Sequence, residues 1–266
     1  MSDSSPATGP AEHDGLGAEI RAAYALRFGD DALVLSHRLA EWISNAPQLE
    51  EDVALANIAL DLLGQARSLL TYAGEVEGKG RTEDDLAYLR GEREFVNLQI
   101  VEHPNEDFAV SMARQLFFST YQLAAYDRLT GSRDETLAAV AAKAVKEVAY
   151  HRDHATQWVL RLGDGTDDSH DRMQAGLARM WPYVDEMFLG DEIDAAVAAA
   201  GVGFDPATLR PGWEAYVDAV LSEATLNRPD PTWTAKGGRQ GVHTEAMGPL
   251  LAQMQHIHRS HPGAQW

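Results

Sequence analysis

The sequence predicts an all-α protein built on a four-helix bundle. Four segments of about 20 residues or more have helical apolar spacing, and short connections or small excursions join them. No segment shows the alternation of apolar and polar residues that is typical of a β-strand. Long helices joined by short connections pack side by side in alternating directions. We therefore expect an up-and-down four-helix bundle with additional C-terminal helices.

The composition is that of a soluble globular protein. Of the 266 residues, 45% are hydrophobic and 24% are charged, and the formal net charge is −19. So acidic a chain is a poor ligand for nucleic-acid phosphates or anionic membranes. The absence of cysteine excludes disulfides, thiolate nucleophiles and cysteine-ligated metal clusters. No apolar run reaches the roughly 18 residues of a membrane span, and the N-terminus lacks a signal peptide's apolar segment. We expect a cytoplasmic protein with no membrane or nucleic-acid partner.

The domain organisation is predicted to be simple. Residues 1–18 are rich in Ser, Pro, Gly and acidic residues, which is typical of a disordered tail. Residues 19–266 are expected to form a single domain. Within it, residues 227–242 contain several Pro and Gly residues and are too long for a simple turn. We expect that segment to be an irregular interaction arm or lid.

One predicted helix, residues 47–70, organises the rest of the chain. Acidic residues fill its first turn, and apolar side chains cover most of its circumference. A helix that is apolar nearly all round is expected to be buried. A narrow polar line nevertheless follows helical spacing along it, at Asn57, Asp61, Gly64, Gln65 and Ser68. This line must face polar side chains of the bundle, a metal, a partner chain or water.

Start and stop signals place the other helices. Thr82 with Asp85 marks one start, Asn105 is predicted to cap a second helix, and Ser132 with Glu135 forms a predicted capping box for a third. Asp205 and Pro206 open a fourth as N-cap and first residue. The predicted helical segments are 20–44, 83–90, 93–102, 106–129, 134–162, 169–188 with a kink at Pro182, 191–200, 206–226 and 244–258.

The long helices can be compared with the ligand set of ferritin-like di-iron bundles. Such bundles supply one Glu from each of two helices and Glu-x-x-His from each of the other two. Here the third long helix has no carboxylate in its middle, residues 111–126, and both histidines are replaced. We expect a ferritin-like bundle with a degenerate site, and no catalytic, cofactor-binding or metal-binding residue. The positions that remain of the pattern are Glu41, Asp61 followed by Gly64, and Glu147 followed by Tyr150 and His151.

These residues also have other interpretations. Glu41 taken alone is an ordinary surface charge of a helix. Glu147 and His151, one turn apart, suit either a shared metal or a hydrogen bond on the helix surface. If the carboxylates are buried, they need compensation. We expect that Lys143 or Lys146 neutralises Glu41, Asp61 or Glu147 inside the bundle, because helical spacing puts these lysines near Glu147.

Two further groups of residues are candidates for binding. Lys236, Arg239 and His243 gather in one short stretch of an acidic chain, where they would contact an anionic ligand or a partner's carboxylates, or belong to a solvated loop. Three tryptophans are candidate anchors in an interface, although core packing is the stronger expectation for the first: Trp213, Trp233 and Trp266.

Four segments, in this order, resemble one family. They are LRFGDDALVLSHRLAEW, ALANIALDLLGQAR, KAVKEVAYH and GVHTEAMGPLLAQMQ. Together they are similar to the structural, non-catalytic ferritin-like subunits of the bacterial ring 1,2-phenylacetyl-CoA epoxidases. The resemblance runs from residue 26 to the end of the chain and leaves out only the N-terminal tail.

The resemblance implies a role in aerobic phenylacetate catabolism. The complex is a multicomponent monooxygenase that converts phenylacetyl-CoA to the ring 1,2-epoxide with O2 and electrons from NADPH. A related catalytic subunit holds the di-iron centre, and a reductase carries a flavin and an iron–sulfur cluster. The chain itself would be a scaffold without cofactors. Two alternatives remain open: an autonomous di-metal oxidase with an irregular ligand set, and a helical adaptor unrelated to oxygenation.

Overall fold

The computed structural model describes residues 16–264, which contain nine α-helices and no β-strand. The predicted N-terminal tail lies almost entirely outside the described residues, as does Trp266. The helices are α1 (Ala18–Ala40), α2 (Leu49–Glu77), α3 (Glu83–Tyr88), α4 (Phe108–Leu129), α5 (Glu135–Gly163), α6 (Asp167–Met180), α7 (Glu192–Ala200), α8 (Arg210–Glu223) and α9 (Met247–Ser260). Short 3₁₀ turns occur at Glu92–Glu94, Gln99–Glu102, Trp181–Tyr183, Asp185–Phe188, Pro206–Leu209 and Gly238–Gln240.

Four long helices form the bundle. α1 packs along α2, α4 packs along α5, and α2 and α5 join the two pairs. α6 and α8 cover α4 and α5, while α9 lies against α3. The predicted fold class is confirmed: the protein is an all-α, ferritin-like four-helix bundle with additional C-terminal helices.

An aromatic cluster attaches the C-terminal helices to the bundle. Trp213 of α8 is almost completely buried, and its indole N–H donates to the carbonyl oxygen of Phe117 in α4 at 2.8 Å. Its ring packs against Phe117, Trp181 and Phe188 with centroids 5.5–6.0 Å apart. Packed aromatic side chains contribute more than their buried area alone. Trp213 is therefore a core residue, which was the stronger expectation for it.

Two predicted helix starts are shifted because an aspartate caps the helix instead. The Asp107 carboxylate accepts from the backbone N–H groups of Ala109 and Val110 and begins α4, whereas Asn105 donates to the carbonyl of Arg38. α5 begins in the same way. Its cap is the carboxylate of Asp134 rather than Ser132, whose hydroxyl donates to the carbonyl of Val202. An ionised carboxylate is the stronger acceptor for the free N–H groups of a first turn.

The predicted helix over residues 93–102 is wrong. This stretch contains two 3₁₀ turns with extended backbone between them. The N–H of Val96 donates to Asp30, that of Leu98 to Asp31, and that of Gln99 to Glu186, at 2.7–2.9 Å. Because buried carboxylates of other elements accept these three N–H groups, the segment does not need helical hydrogen bonds.

α2 is buried on one side only, so the prediction that it is buried nearly all round is wrong. Its inner side contributes to the core, whereas Leu49, Val53, Leu60 and Leu63 are exposed. Among residues 16–264, α2 is the single helix long and apolar enough to cross a membrane, a property that core helices of soluble proteins share. The outer side of α2 is therefore an apolar surface that no described part of the chain covers.

α6 reaches the start of α4 at a glycine. A Cβ atom at Gly176 would lie 2.9 Å from the carbonyl carbon and oxygen of Ala109. We predict that Gly176→Ala lowers the free energy of unfolding by about 1–3 kcal/mol, because rigid backbone must move to admit the methyl group. Urea denaturation measures this change.

Gly212→Ala is the matched control. Gly212 is also helical, but nothing lies within 4 Å of the position that its Cβ atom would take. We expect that variant to be neutral or more stable by up to about 1 kcal/mol, since alanine favours helix. Equal destabilisation by both variants would contradict the close approach of α6 to α4.

Candidate functional site

The polar centre of the bundle is a neutral amide. Gln65 of α2 is buried, and its Nε2 donates to Glu147 Oε2 of α5 at 2.9 Å. Its Oε1 accepts from Gln122 Nε2 at 3.2 Å and from the Tyr126 hydroxyl at 3.3 Å, both on α4. Burial raises the pKa of Tyr126 well above its usual range, so the phenol stays protonated. One side chain thus links three helices through hydrogen bonds without a cation.

Asp61 and His151 form a second contact between α2 and α5, close to the first. His151 Nε2 lies 3.0 Å from Asp61 Oδ2. Burial lowers the pKa of His151, although Asp61 opposes this shift. We therefore assign a neutral imidazole whose Nε2–H donates to the carboxylate. His154 lies 2.7 Å from Glu51 and joins the same two helices.

Glu41 is separate from these pairs. It follows the last residue of α1 and is about one-third exposed, accepting from Arg38 at 2.8 Å and Asn105 at 3.2 Å. Within residues 16–264, no three His, Asp or Glu side chains are arranged to hold a metal ion. The structure brings Asp61, Glu147 and His151 to the α2–α5 contact but does not join Glu41 to them. Glutamine amides are poor substitutes for the carboxylates that balance two irons, so these residues do not fit a di-iron centre.

The lysines do not compensate the carboxylates inside the bundle, contrary to the prediction. The Lys143 side chain is 75% exposed, with its Nζ 3.8 Å from Glu147 Oε1, and Lys146 is also exposed. A pair so accessible to water contributes little. The carboxylates are held by other groups instead: Gln65 for Glu147, His151 for Asp61 and Arg38 for Glu41.

A second polar cluster holds the segment that was predicted to be an arm or lid. Arg239 forms a bidentate ion pair with Asp31, with N–O distances of 2.8 and 3.0 Å, and it also donates to the carbonyl of Val96. The N–H of Gly238 donates to Glu186 at 2.8 Å. The second half of residues 227–242 is therefore fixed to the bundle. Lys236 and Trp233 are exposed, and the Trp233 ring contacts Tyr183 edge-on.

His243 completes this cluster as a buried cation. Its Nδ1 lies 2.6 Å from Glu102 Oε1, and its Nε2 lies 3.0 Å from the carbonyl oxygen of Phe95. Since both partners are acceptors, both ring nitrogens must carry protons. Burial works against the charge, but the hydrogen bond and the charge of Glu102 outweigh it and raise the pKa of His243. Arg239 and His243 thus bind this chain's own carboxylates, not an external anion.

One feature of the sequence indicates that this cluster exists. Asp30 and Asp31 are adjacent in a largely apolar helix, which is an expensive place for two carboxylates without partners. Asp30 binds the guanidinium of Arg90 and Asp31 binds that of Arg239. The hub at Gln65, Gln122 and Tyr126 is harder to predict from the sequence, because only the polar line on α2 indicates it.

The pKa of His243 makes stability depend on pH. A group whose pKa is raised in the folded state adds stability that is complete below the unfolded pKa of 6.5 and is lost as pH rises through the raised value. We predict that His243→Gln removes a decline in stability that sets in as the pH rises above 6.5. Urea denaturation below and above pH 6.5 measures the difference between wild type and variant.

His256→Gln is the control, since His256 is exposed on α9. His151 also makes stability depend on pH, and its lowered pKa acts in the opposite direction. Because wild type and His243→Gln both contain His151, its contribution cancels when their stabilities are subtracted. Parallel curves for wild type and His243→Gln would show that His243 is uncharged in the folded protein.

Comparison with known proteins identifies the family. The family described as phenylacetic acid catabolic protein matches residues 14–266, which is nearly the whole chain. The chain belongs to the phenylacetic acid catabolic protein family. It is also similar to the C subunit of the 1,2-phenylacetyl-CoA epoxidase of Escherichia coli (strain K12). That relative is 52% identical over 244 residues, covering 92% of this chain and 98% of the relative. The resemblance inferred from the four sequence segments is thus confirmed.

Membership in this family agrees with the bundle but assigns no role to individual residues. The match extends over the whole bundle and the C-terminal helices, so the hub at Gln65 and the cluster at His243 both lie within the matched region. The absence of catalytic, cofactor-binding and metal-binding residues stays a prediction.

Proposed function

We propose that this chain is a non-catalytic structural subunit of a multicomponent oxygenase that converts phenylacetyl-CoA to ring 1,2-epoxyphenylacetyl-CoA in aerobic phenylacetate catabolism. Its Escherichia coli relative is named as the C subunit of 1,2-phenylacetyl-CoA epoxidase. The observation that supports a structural role is the hub at Gln65, where an amide with a single carboxylate partner occupies the polar centre of the bundle. Two iron ions would need several carboxylates converging at one point.

The hub also gives the chain a mechanical property that suits a scaffold. Gln65 uses donor and acceptor atoms at once, so the facing side chains of three helices are satisfied without metal, water or partner. A bundle closed in this way keeps its shape when no ligand is present. A rigid bundle packed against a catalytic bundle holds the latter's ligands in place while other components bind and leave.

The proposed partners follow from this role. The catalytic subunit would hold the di-iron centre, and a reductase would bring a flavin, an iron–sulfur cluster and electrons from NADPH. This chain would bind no cofactor itself, and the complex would be a cytoplasmic heteromer with no nucleic-acid or membrane partner. The net charge of −19 supports the exclusion of phosphate-rich partners.

Iron analysis of the chain, alone and together with the catalytic subunit, tests the proposal. We expect little iron in the isolated chain, and iron together with oxidation of phenylacetyl-CoA in the pair. The alternative of an autonomous di-metal oxidase draws on the location of Asp61, Glu147 and His151 at one helix contact. It predicts about two irons per isolated chain, following the ligand set of such bundles.

Two variants distinguish these outcomes. Glu147→Gln removes a carboxylate at the α2–α5 contact, whereas Glu135→Gln changes an exposed carboxylate in the first turn of the same helix. In a scaffold, both variants leave the iron content of the pair unchanged. Stoichiometric iron in the isolated chain, lost in Glu147→Gln and kept in Glu135→Gln, would overturn the structural role.

A further inference from the structure

A small polar cavity lies where the C-terminal segment meets the bundle, between α1, α4, α7 and the turn at Gly238–Gln240. Its volume is about 10 Å³, close to that of a sphere with the roughly 1.4 Å radius of a water molecule. The cavity is therefore large enough for one water molecule and no more. The polar side chains in its lining are those of Tyr24, Arg27, Tyr121, Glu186, Asp194 and Arg239.

The Tyr24 hydroxyl is a buried donor that needs an acceptor. Tyr24 is 1% exposed, and its hydroxyl makes no hydrogen bond of normal geometry with any described residue. The N–H of Phe204 lies near the hydroxyl oxygen, but an N–H can only donate, so the hydroxyl proton is still unpaired. Burial raises the pKa of Tyr24 far above its usual range, so this proton stays on the oxygen. A buried donor without an acceptor is costly, and a ligand that accepts the proton removes the cost.

Packing holds the Tyr24 hydroxyl in place. A Cβ atom at Gly203 would lie 2.6 Å from the hydroxyl oxygen, so the loop that follows α7 is directly against it. The Tyr24 ring also packs edge-on against Phe28, with the ring centroids 5.3 Å apart. The phenol thus has little freedom to turn toward another acceptor, and its proton has to be accepted in the cavity that it lines.

The lining also supplies acceptors and a second donor. Glu186 accepts from the N–H groups of Gln99 and Gly238 at 2.7 and 2.8 Å, one on each carboxylate oxygen. Each of these oxygens can accept a further hydrogen bond. Burial raises the pKa of Tyr121 to about 12, and the Arg239 guanidinium donates to its hydroxyl oxygen, so Tyr121 keeps its own proton to donate. Hydroxyl donors and carboxylate acceptors therefore line the same small space.

The charges of the lining disfavour an ion. Both guanidinium groups are compensated by carboxylates, Arg27 by Asp194 at 2.9 Å and Arg239 by Asp31 at 2.8 Å. A bound anion would lie beside the Glu186 carboxylate, whereas a bound cation would meet hydroxyl protons and two guanidinium groups. The occupant has to accept the phenol proton, donate to a carboxylate and carry no charge.

We propose that this cavity binds one ordered water molecule, which accepts the Tyr24 proton and donates to the Glu186 carboxylate. A buried water typically makes about three hydrogen bonds, and the Tyr121 hydroxyl and Asp194 carboxylate of the same lining offer the others. Because Glu186 also holds the N–H of Gly238, the water connects α1 to the anchor of the C-terminal segment. This inference does not depend on the proposed function.

A crystal structure of the full chain, at a resolution that shows ordered water, tests the site directly. We expect density for one water at about 2.6–3.0 Å from both the Tyr24 hydroxyl and a Glu186 oxygen. Absence of such density, or a direct hydrogen bond from Tyr24 to a carboxylate, would overturn the proposal. So would an anion in the cavity, which crystals grown with bromide reveal by anomalous scattering.

Oxygen-17 relaxation dispersion tests the site in solution, because it counts the water molecules that stay bound for longer than the protein takes to tumble. Tyr24→Phe removes the hydroxyl and keeps the ring. We expect this variant to hold one long-lived water fewer than wild type. Its equilibrium constant for unfolding should be roughly 5- to 30-fold larger, since the water and the carboxylate lose a partner.

Tyr150→Phe is the matched control. The Tyr150 side chain is 49% exposed on α5 and does not line the cavity. We expect the wild-type water count and the wild-type stability. Tyr24→Phe that is less stable but keeps every long-lived water would show that the hydroxyl stabilises the fold without a bound water, and would overturn the site. If Tyr24→Phe does not fold, the crystal structure of the wild type decides alone.

Discussion

Two adjacent carboxylates in α1 control how the chain outside the bundle folds. Asp30 and Asp31 are completely buried or nearly so, and each is paired with an arginine distant in sequence, Arg90 and Arg239. They also accept the backbone N–H groups of Val96 and Leu98, which turns a predicted helix into an irregular segment. Removing one partner of such a pair typically costs about 3–5 kcal/mol, because an unpaired buried charge remains. The C-terminal segment is held on the bundle by these contacts.

The two polar clusters of the interior have different physical characters. The cluster around Asp31, Glu102 and His243 contains full charges in balanced pairs, and it fixes segments far apart in sequence. The hub around Gln65 connects neighbouring helices through one neutral amide, which donates to the Glu147 carboxylate and accepts from Gln122. Ion pairs therefore anchor segments that are distant along the chain, whereas a single amide joins the neighbouring helices of the bundle.

Much of the fold could be predicted because its signals are local. Apolar spacing, proline and capping residues located the long helices, and the Thr82–Asp85 capping box is present as predicted. The predictions that failed depended on distant partners. Nothing near Lys143 in the sequence indicates that Lys143 would be exposed and that Gln65 would be the hydrogen-bond partner of Glu147 inside the bundle. Likewise, the stretch with Arg239 and His243 predicts an anionic ligand, a partner's carboxylates or a solvated loop, because the actual partners, Asp31 and Glu102, lie more than 140 residues earlier.

The sequence by itself determined the helical class, the bundle and the family, since each depends on residue type and short-range spacing. Only the tertiary structure decided which carboxylates are neutralised and by which groups, because burial and pairing depend on the packing of elements distant along the chain. It also decided that α2 is buried on one side alone. An apolar residue looks the same in the sequence whether its side chain faces the core or the protein surface. Only the neighbours that pack against it distinguish the two.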